Sequence, residues 1–214
     1  MVFLIFVNFK DIKSLDIRIQ NLEPDCFYHI YNRGVNGDKV FQENDNYMFF
    51  MAQFLKYLSN VCDLYAYCLM PNHFHFLIKI KSQAELFKFF EEQNKRSNNK
   101  GLHSMESLPS KQLSKFISSY TQAYNKVFER HGPLFESPFK RKKIDSEQYL
   151  RNVIIYIHQN PLDIKKDFKN YKFSSYSTVL SSLKTNLKRG EIIEYFDNLE
   201  NFIFCHTKII DFKF

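Results

Sequence analysis

The sequence predicts an α+β domain: a ferredoxin-like antiparallel sheet with helices packed on it. Three observations point there. Segments with strand and helix periodicity follow one another as strand, helix, strand, strand, helix, strand, helix, close to a split βαβ arrangement. The composition, 44% hydrophobic and 25% charged over 214 residues, is that of a chain able to bury a sizeable core. Residues 73–81 alternate cleanly, with Phe74, Phe76, Ile78 and Ile80 on one face and His73, His75, Leu77, Lys79 and Lys81 on the other.

Taken in order, residues 1–24 are an N-terminal extension ending near Pro24. Its opening "MVFLIFVNFK" is apolar but far short of a membrane span, with no basic leader before it and no small-residue cleavage site after it. "CFYHIYNRG" reads as an aromatic-rich strand ended by Gly34, and Asn36-Gly37 marks the turn that follows. From Asp45, a plausible N-cap, Phe49, Phe50, Phe54 and Leu58 recur at helical spacing. "CDLYAYCLM" and "HFHFLIKIK" are strands joined at Pro71-Asn72, residue types suited to a tight turn. "AELFKFFEEQNKRSN" is a helix running into a polar loop, about 94–111, expected to be mobile. A longer helix ends at Gly132. "PLFESPFKRKKID" is strand-like, and a helix runs from the N-cap Ser146 to Pro161. The tail, 181–214, reads as helical pieces docked on the body formed by residues 25–180.

Thirty Lys and Arg against 23 Asp and Glu leave a formal charge of +7, which suits a polyanionic partner. Nucleic acid ranks ahead of a membrane, because no basic helix has a strong apolar face. Cys26, Cys62, Cys68 and Cys205 form no Cys-x-x-Cys pair and read as reduced thiols of a cytoplasmic protein.

His73 and His75 are the candidate chemistry. Strand rise puts them about 7 Å apart on one face, where two imidazoles can share a metal ion but need a third ligand from elsewhere. The 146–161 helix offers one. Leu150, Val153, Ile154 and Ile157 form its apolar stripe, and Tyr149, Asn152, Tyr156 and Asn160 run along one flank. The residues alone leave the plainer reading open: a polar strand face, a core-edge tyrosine and an asparagine capping the helix before proline.

Together these stretches resemble a known family, the HUH single-tyrosine transposases, and within it the REP-associated, IS200-like group. The resemblance rests on "YHIYNRG" (28–34), "YAYCLMPNHFHFLIK" (65–79), "YNKVFERHGPLF" (124–135), "YIHQNP" (156–161) and "YKFSSY" (171–176) in the family's order. It implies an HUH fold over 25–180 and a transposase or endonuclease that cuts and rejoins single-stranded hairpin DNA through a 5′-phosphotyrosine. His73, His75 and Asn160 match the ligands of Mg²⁺ or Mn²⁺, and Tyr156 matches the nucleophile. It also implies a cytoplasmic, nucleoid-associated enzyme, either a monomer or a homodimer with shared sites. Arg33, Lys79, Lys81, Lys140, Arg141, Lys142 and Lys143 are candidate phosphate contacts, and Tyr28, Tyr31, Phe135 and Phe139 candidate base-stacking rings. A hairpin-binding regulator that does not cut and a hydrolytic metal nuclease are the rival readings. The sequence departs from the family at Glu136-Ser137-Pro138, where many relatives carry Gln and Arg, and at Phe173, where tryptophan is usual.

Overall fold

Period-two alternation sorts the strands into one antiparallel sheet. The computed structural model describes residues 21–96 and 105–208. The extension over 1–20 and the centre of the polar loop, 97–104, lie outside the described residues. Strands β1 (Phe27–Arg33), β2 (Cys62–Met70), β3 (His73–Ile80) and β4 (Lys140–Ile144) lie in the order β2-β3-β1-β4, the order expected of a ferredoxin-like sheet.

The two faces bury different chemistry. Under one lie α1 (Asn44–Leu58) and α3 (Leu108–Val127), and their rings interlock with β3: Phe50 on Phe74 at 5.1 Å, Phe54 on Phe76 at 4.6 Å, Phe50 on Phe116 at 4.7 Å. Under the other lies α4 (Glu147–Gln159), which carries Tyr156. α4 therefore packs on the histidine face and not on the Phe74 face. Helix α2 (Gln83–Arg96) follows β3.

Boundaries differ from the sequence expectation where local capping overrides periodicity. α1 starts at Asn44 because Glu43 and Asn46 form a reciprocal capping box, leaving Asp45 in the first turn. Phe49 is 39% exposed, and Tyr47 takes its place on the buried stripe. α3 starts at Leu108, inside the stretch read as loop, with Pro109 in its first turn, and it ends at Val127 instead of Gly132. Only Lys140–Ile144 of the strand-like segment after Gly132 is strand.

The outer edge of β2 is covered by the chain that follows α4. Leu69 N–H donates to the Phe173 carbonyl at 2.9 Å, Ser175 N–H to the Tyr67 carbonyl at 2.9 Å, and Lys188 N–H to the Leu64 carbonyl at 2.9 Å. These bonds satisfy an edge that would otherwise be a template for pairing with another chain. Phe173 stacks flat on Tyr47 with centroids 3.7 Å apart. Helices α5 (Tyr176–Leu180), α6 (Arg189–Glu194) and α7 (Leu199–Cys205) complete this side. All four cysteines are free thiols, with Cys62 and Cys68 buried. Among the described residues no helix is long and apolar enough to cross a membrane.

Candidate metal and nucleophile site

The site begins at the β2–β3 turn. The Pro71 carbonyl accepts the N–H groups of Val40 and Phe41, and the Asn72 carbonyl accepts Gly34 N–H at 2.8 Å, so the hairpin tip is tied to the loop after β1. A Cβ on Gly34 would run into the Asp38 carbonyl oxygen, so only glycine fits this approach. Asn72 donates from Nδ2 to the Gly37 carbonyl at 3.3 Å, which turns its Oδ1 toward His73 Nδ1 at 2.7 Å. An amide oxygen can only accept, so the proton of this ring sits on Nδ1. Burial holds the His73 pKa below the usual histidine value, so the ring is neutral and Nε2 carries a lone pair.

That lone pair faces α4. Ser146 caps the helix by accepting Tyr149 N–H, and Leu150, Val153, Ile154 and Ile157 are all buried beneath it. Asn160, at the C-cap, donates from Nδ2 to the Tyr156 carbonyl at 2.9 Å and turns Oδ1 to His73 Nε2 at 3.4 Å. Two acceptors thus face each other with no proton between them, an arrangement a cation satisfies. Neighbouring ligands of an octahedral ion at about 2.1 Å stand about 3 Å apart, so the spacing fits. The capping and ligand readings of Asn160 are compatible, because one amide end caps and the other faces His73.

His75 lies beside them. Its ring meets His73 at 5.2 Å and Tyr156 at 5.4 Å, perpendicular to both. Its Nδ1 is 2.9 Å from Nε2 of His29, a residue on β1 that is 0% exposed. This bond occupies Nδ1 and leaves Nε2 as the nitrogen open to a ligand role. Burial pushes His29 down to about 3 and His75 well below the histidine range, so both are neutral. Burial also pushes the Tyr156 phenol up to about 12, with Asp163 adding to the shift and the bond to Asn160 opposing it. Among the described residues no three His, Cys, Asp or Glu side chains converge; the candidate donors are two imidazoles and one amide.

Three contributors were not singled out in the sequence: His29, Asn72 as an orienting side chain, and Asp163. Strand parity was the only available signal for His29, and it becomes readable only with the β1–β3 register, in which Tyr31 pairs with His75 and His29 with Leu77.

A cleft of about 390 Å³ opens over the histidines, lined by Tyr31, Arg33, Asn72, His73, His75 and Lys140 among others. The sequence-predicted basic residues divide around it. Lys140 and Lys142 stand on the histidine face, paired with Tyr31 and His29 across β1, and their ammonium groups lie over the rings of Tyr31 and Tyr149. Arg141 points to the opposite face and donates to Ser110 at 3.0 Å. Lys143 pairs with Glu23 at 2.6 Å, Lys81 with Asp63 at 3.3 Å and Glu85 at 3.2 Å, and Arg33 with Glu136 at 3.3 Å. Lys79 lies over Phe27, away from the cleft lining. Of the candidate stacking rings, Tyr31 lines the cleft and stacks on His75 at 5.6 Å, and Phe139 is half-buried against Phe74. Tyr28 and Phe135 are buried and closed to a base.

Comparison with known proteins bears on the fold and on part of the chain. Residues 23–121 match the family described as transposase IS200 like, a span that holds Asn72, His73 and His75 and stops short of Tyr156 and Asn160. No curated protein matches the chain. Among solved structures it is similar to a REP-associated tyrosine transposase bound to a REP hairpin, at 13% identity and a TM-score of 0.55, over 83% of this chain and 93% of that one. Residues 23–121 are thus similar to the IS200-like transposases, and the fold of the chain is similar to that of a REP-associated tyrosine transposase.

Proposed function

We propose that the chain is a metal-dependent DNA strand transferase that cuts and rejoins single-stranded DNA beside a hairpin through a 5′-phosphotyrosine. One observation carries the reading: His73 Nε2 and Asn160 Oδ1, from separate elements, face each other as two acceptors beside His75 and Tyr156. His73, His75 and Asn160 would hold Mg²⁺ or Mn²⁺, which would neutralise charge on the scissile phosphate. The Tyr156 oxygen bonds to phosphorus as the phosphorus–O3′ bond breaks. The phenol gives up a proton and the departing 3′-oxygen takes one, so none is consumed overall. The reverse attack by the 3′-hydroxyl rejoins the strand. The phenol, pushed up to about 12 by burial, is protonated at neutral pH and must give up its proton as it attacks. Tyr156 and the histidines come from one chain, so a homodimer is not needed to build the site. We place the activity on residues 25–180, in the cytoplasm at the nucleoid.

The test is incubation with a DNA hairpin carrying single-stranded flanks in Mn²⁺, resolved on a denaturing gel. Wild type should form a covalent adduct, EDTA should prevent it, and Tyr156→Phe should bind the hairpin without forming one. Hairpin binding with no cleavage in any metal would instead favour a regulator. Protein-free 5′-phosphate products that survive Tyr156→Phe would favour a hydrolytic nuclease. With two imidazoles among three donors, Mn²⁺ should support half-maximal adduct formation at a lower concentration than Mg²⁺, which prefers oxygen.

A further inference from the structure

Behind the tyrosine helix runs a second line of histidines. His158 leaves α4 about 200° around the axis from Tyr156. It is fully buried, as are Ser175 and, at 1% exposure, His206. His206 Nδ1 lies 2.7 Å from the Phe202 carbonyl, an obligate acceptor, so Nδ1 carries the proton and Nε2 accepts. His158 Nδ1, 2.9 Å from that Nε2, must then donate, and His158 Nε2 accepts from the Ser175 hydroxyl at 2.8 Å. Ser175 Oγ in turn accepts Tyr67 N–H at 2.8 Å. The result is one directional line from the edge of β2, through α4, to α7. It starts next to Cys68, the cross-strand partner of His75, so it registers α4 against the hairpin that bears the histidines. Gln159 adds a second tie, donating from Nε2 to the carbonyls of His206 at 3.0 Å and Lys208 at 2.8 Å, one residue before Asn160. Phe202, Tyr176 and Phe196 pack around the His206 ring at 4.2, 5.1 and 5.9 Å.

We infer that α7 is a clamp that sets the position of the tyrosine helix on the sheet, with His206 as a positioning residue for Tyr156 and Asn160. The inference rests on the strand-transfer reading for its purpose. The physical basis is that the apolar stripe beneath α4 makes contacts that tolerate sliding, whereas hydrogen bonds with fixed direction do not. A displacement of about 1 Å at a reacting centre costs up to about 100-fold in rate.

The experiment compares wild type, His206→Leu and His206→Gln, whose side-chain oxygen can accept from His158 Nδ1. Two readouts are taken: hydrogen exchange of the amides at 156–160, and adduct formation in Mn²⁺ alongside hairpin affinity. For His206→Leu we expect faster exchange at 156–160 with β1 and β3 unchanged. We also expect adduct formation reduced about 10- to 100-fold at near-constant hairpin affinity. His206→Gln should recover most of both. Should His206→Leu fail to fold, Gln159→Ala, which removes the second tie and leaves the His158–His206 bond, should show the same pattern more weakly. Wild-type exchange at 156–160 in these variants overturns the clamp, as does loss of protection spread evenly over the sheet. Wild type forming no adduct overturns the strand-transfer reading instead, and the exchange measurement still decides the clamp.

Discussion

Each imidazole on the histidine face has one nitrogen committed to a neighbour, and the committed nitrogen decides what the other can do. Asn72 holds His73 in the Nδ1–H form and His29 occupies Nδ1 of His75, so Nε2 is the nitrogen each ring has left for a further partner. A partner of this kind orients a ligand and is commonly worth 10- to 100-fold in metal affinity. His29→Leu should therefore weaken Mn²⁺ binding about tenfold, read by titration calorimetry, while hairpin affinity without metal stays near wild type. Unchanged Mn²⁺ affinity would show that His75 is oriented by packing alone. That His73 and His75 share one face was legible because two histidines one residue apart on a strand must do so. His29 was not, because it comes from a strand 46 residues away, and only pairing brings it to His75.

At the scale of elements, β4 shows why a run of like charges is not by itself a binding surface. Lys140-Arg141-Lys142-Lys143 reads as a uniform basic patch, yet alternation sends Lys140 and Lys142 to the histidine face and Arg141 and Lys143 to the other. Lys140→Ala and Lys142→Ala should each weaken hairpin binding and flatten the log Kd against log salt plot by about 0.7 where the contact is to single-stranded DNA. Arg141→Ala and Lys143→Ala should leave the slope in place; equal effects from all four would mean that β4 lies across the DNA backbone without regard to face. The helices show the same limit of local reading. The Ser146 cap was legible, since its side chain meets Tyr149 N–H. The start of α3 was not, because Ser107, Leu108 and Pro109 sit inside a polar stretch and the buried stripe of the helix extends to Leu108.

At the scale of the molecule, burial of neutral histidines couples folding to pH. His29, His75, His158 and His206 are at most 5% exposed, and burial lowers the pKa of each. The unfolded chain therefore binds more protons than the folded one at any pH between the folded values and about 6.5. Their contribution to stability is fully present above about 6.5, falls as pH drops through the unfolded value, and levels off below the folded one. His206, pushed down to about 4, accounts for roughly 3 kcal/mol of this by itself. Urea midpoints should fall steeply from pH 7 to pH 4.5, and His206→Gln should flatten that slope. A midpoint independent of pH across this range would mean that the histidines are solvated before the chain unfolds.

By itself the sequence determined the α+β class, the strand that carries His73 and His75, and the helix that carries Tyr156 and Asn160. These follow from periods of two and 3.6 residues, which are properties of contiguous chain. Tertiary structure alone decided that α4 lies over the histidine face, that His29 stands behind His75, that only alternate lysines of β4 share the cleft side, and that α7 is tied to α4 through His158 and His206. Each of these depends on register and packing between distant segments. A one-residue change of register would send every side chain of a strand to the other face without altering the local pattern that the sequence displays.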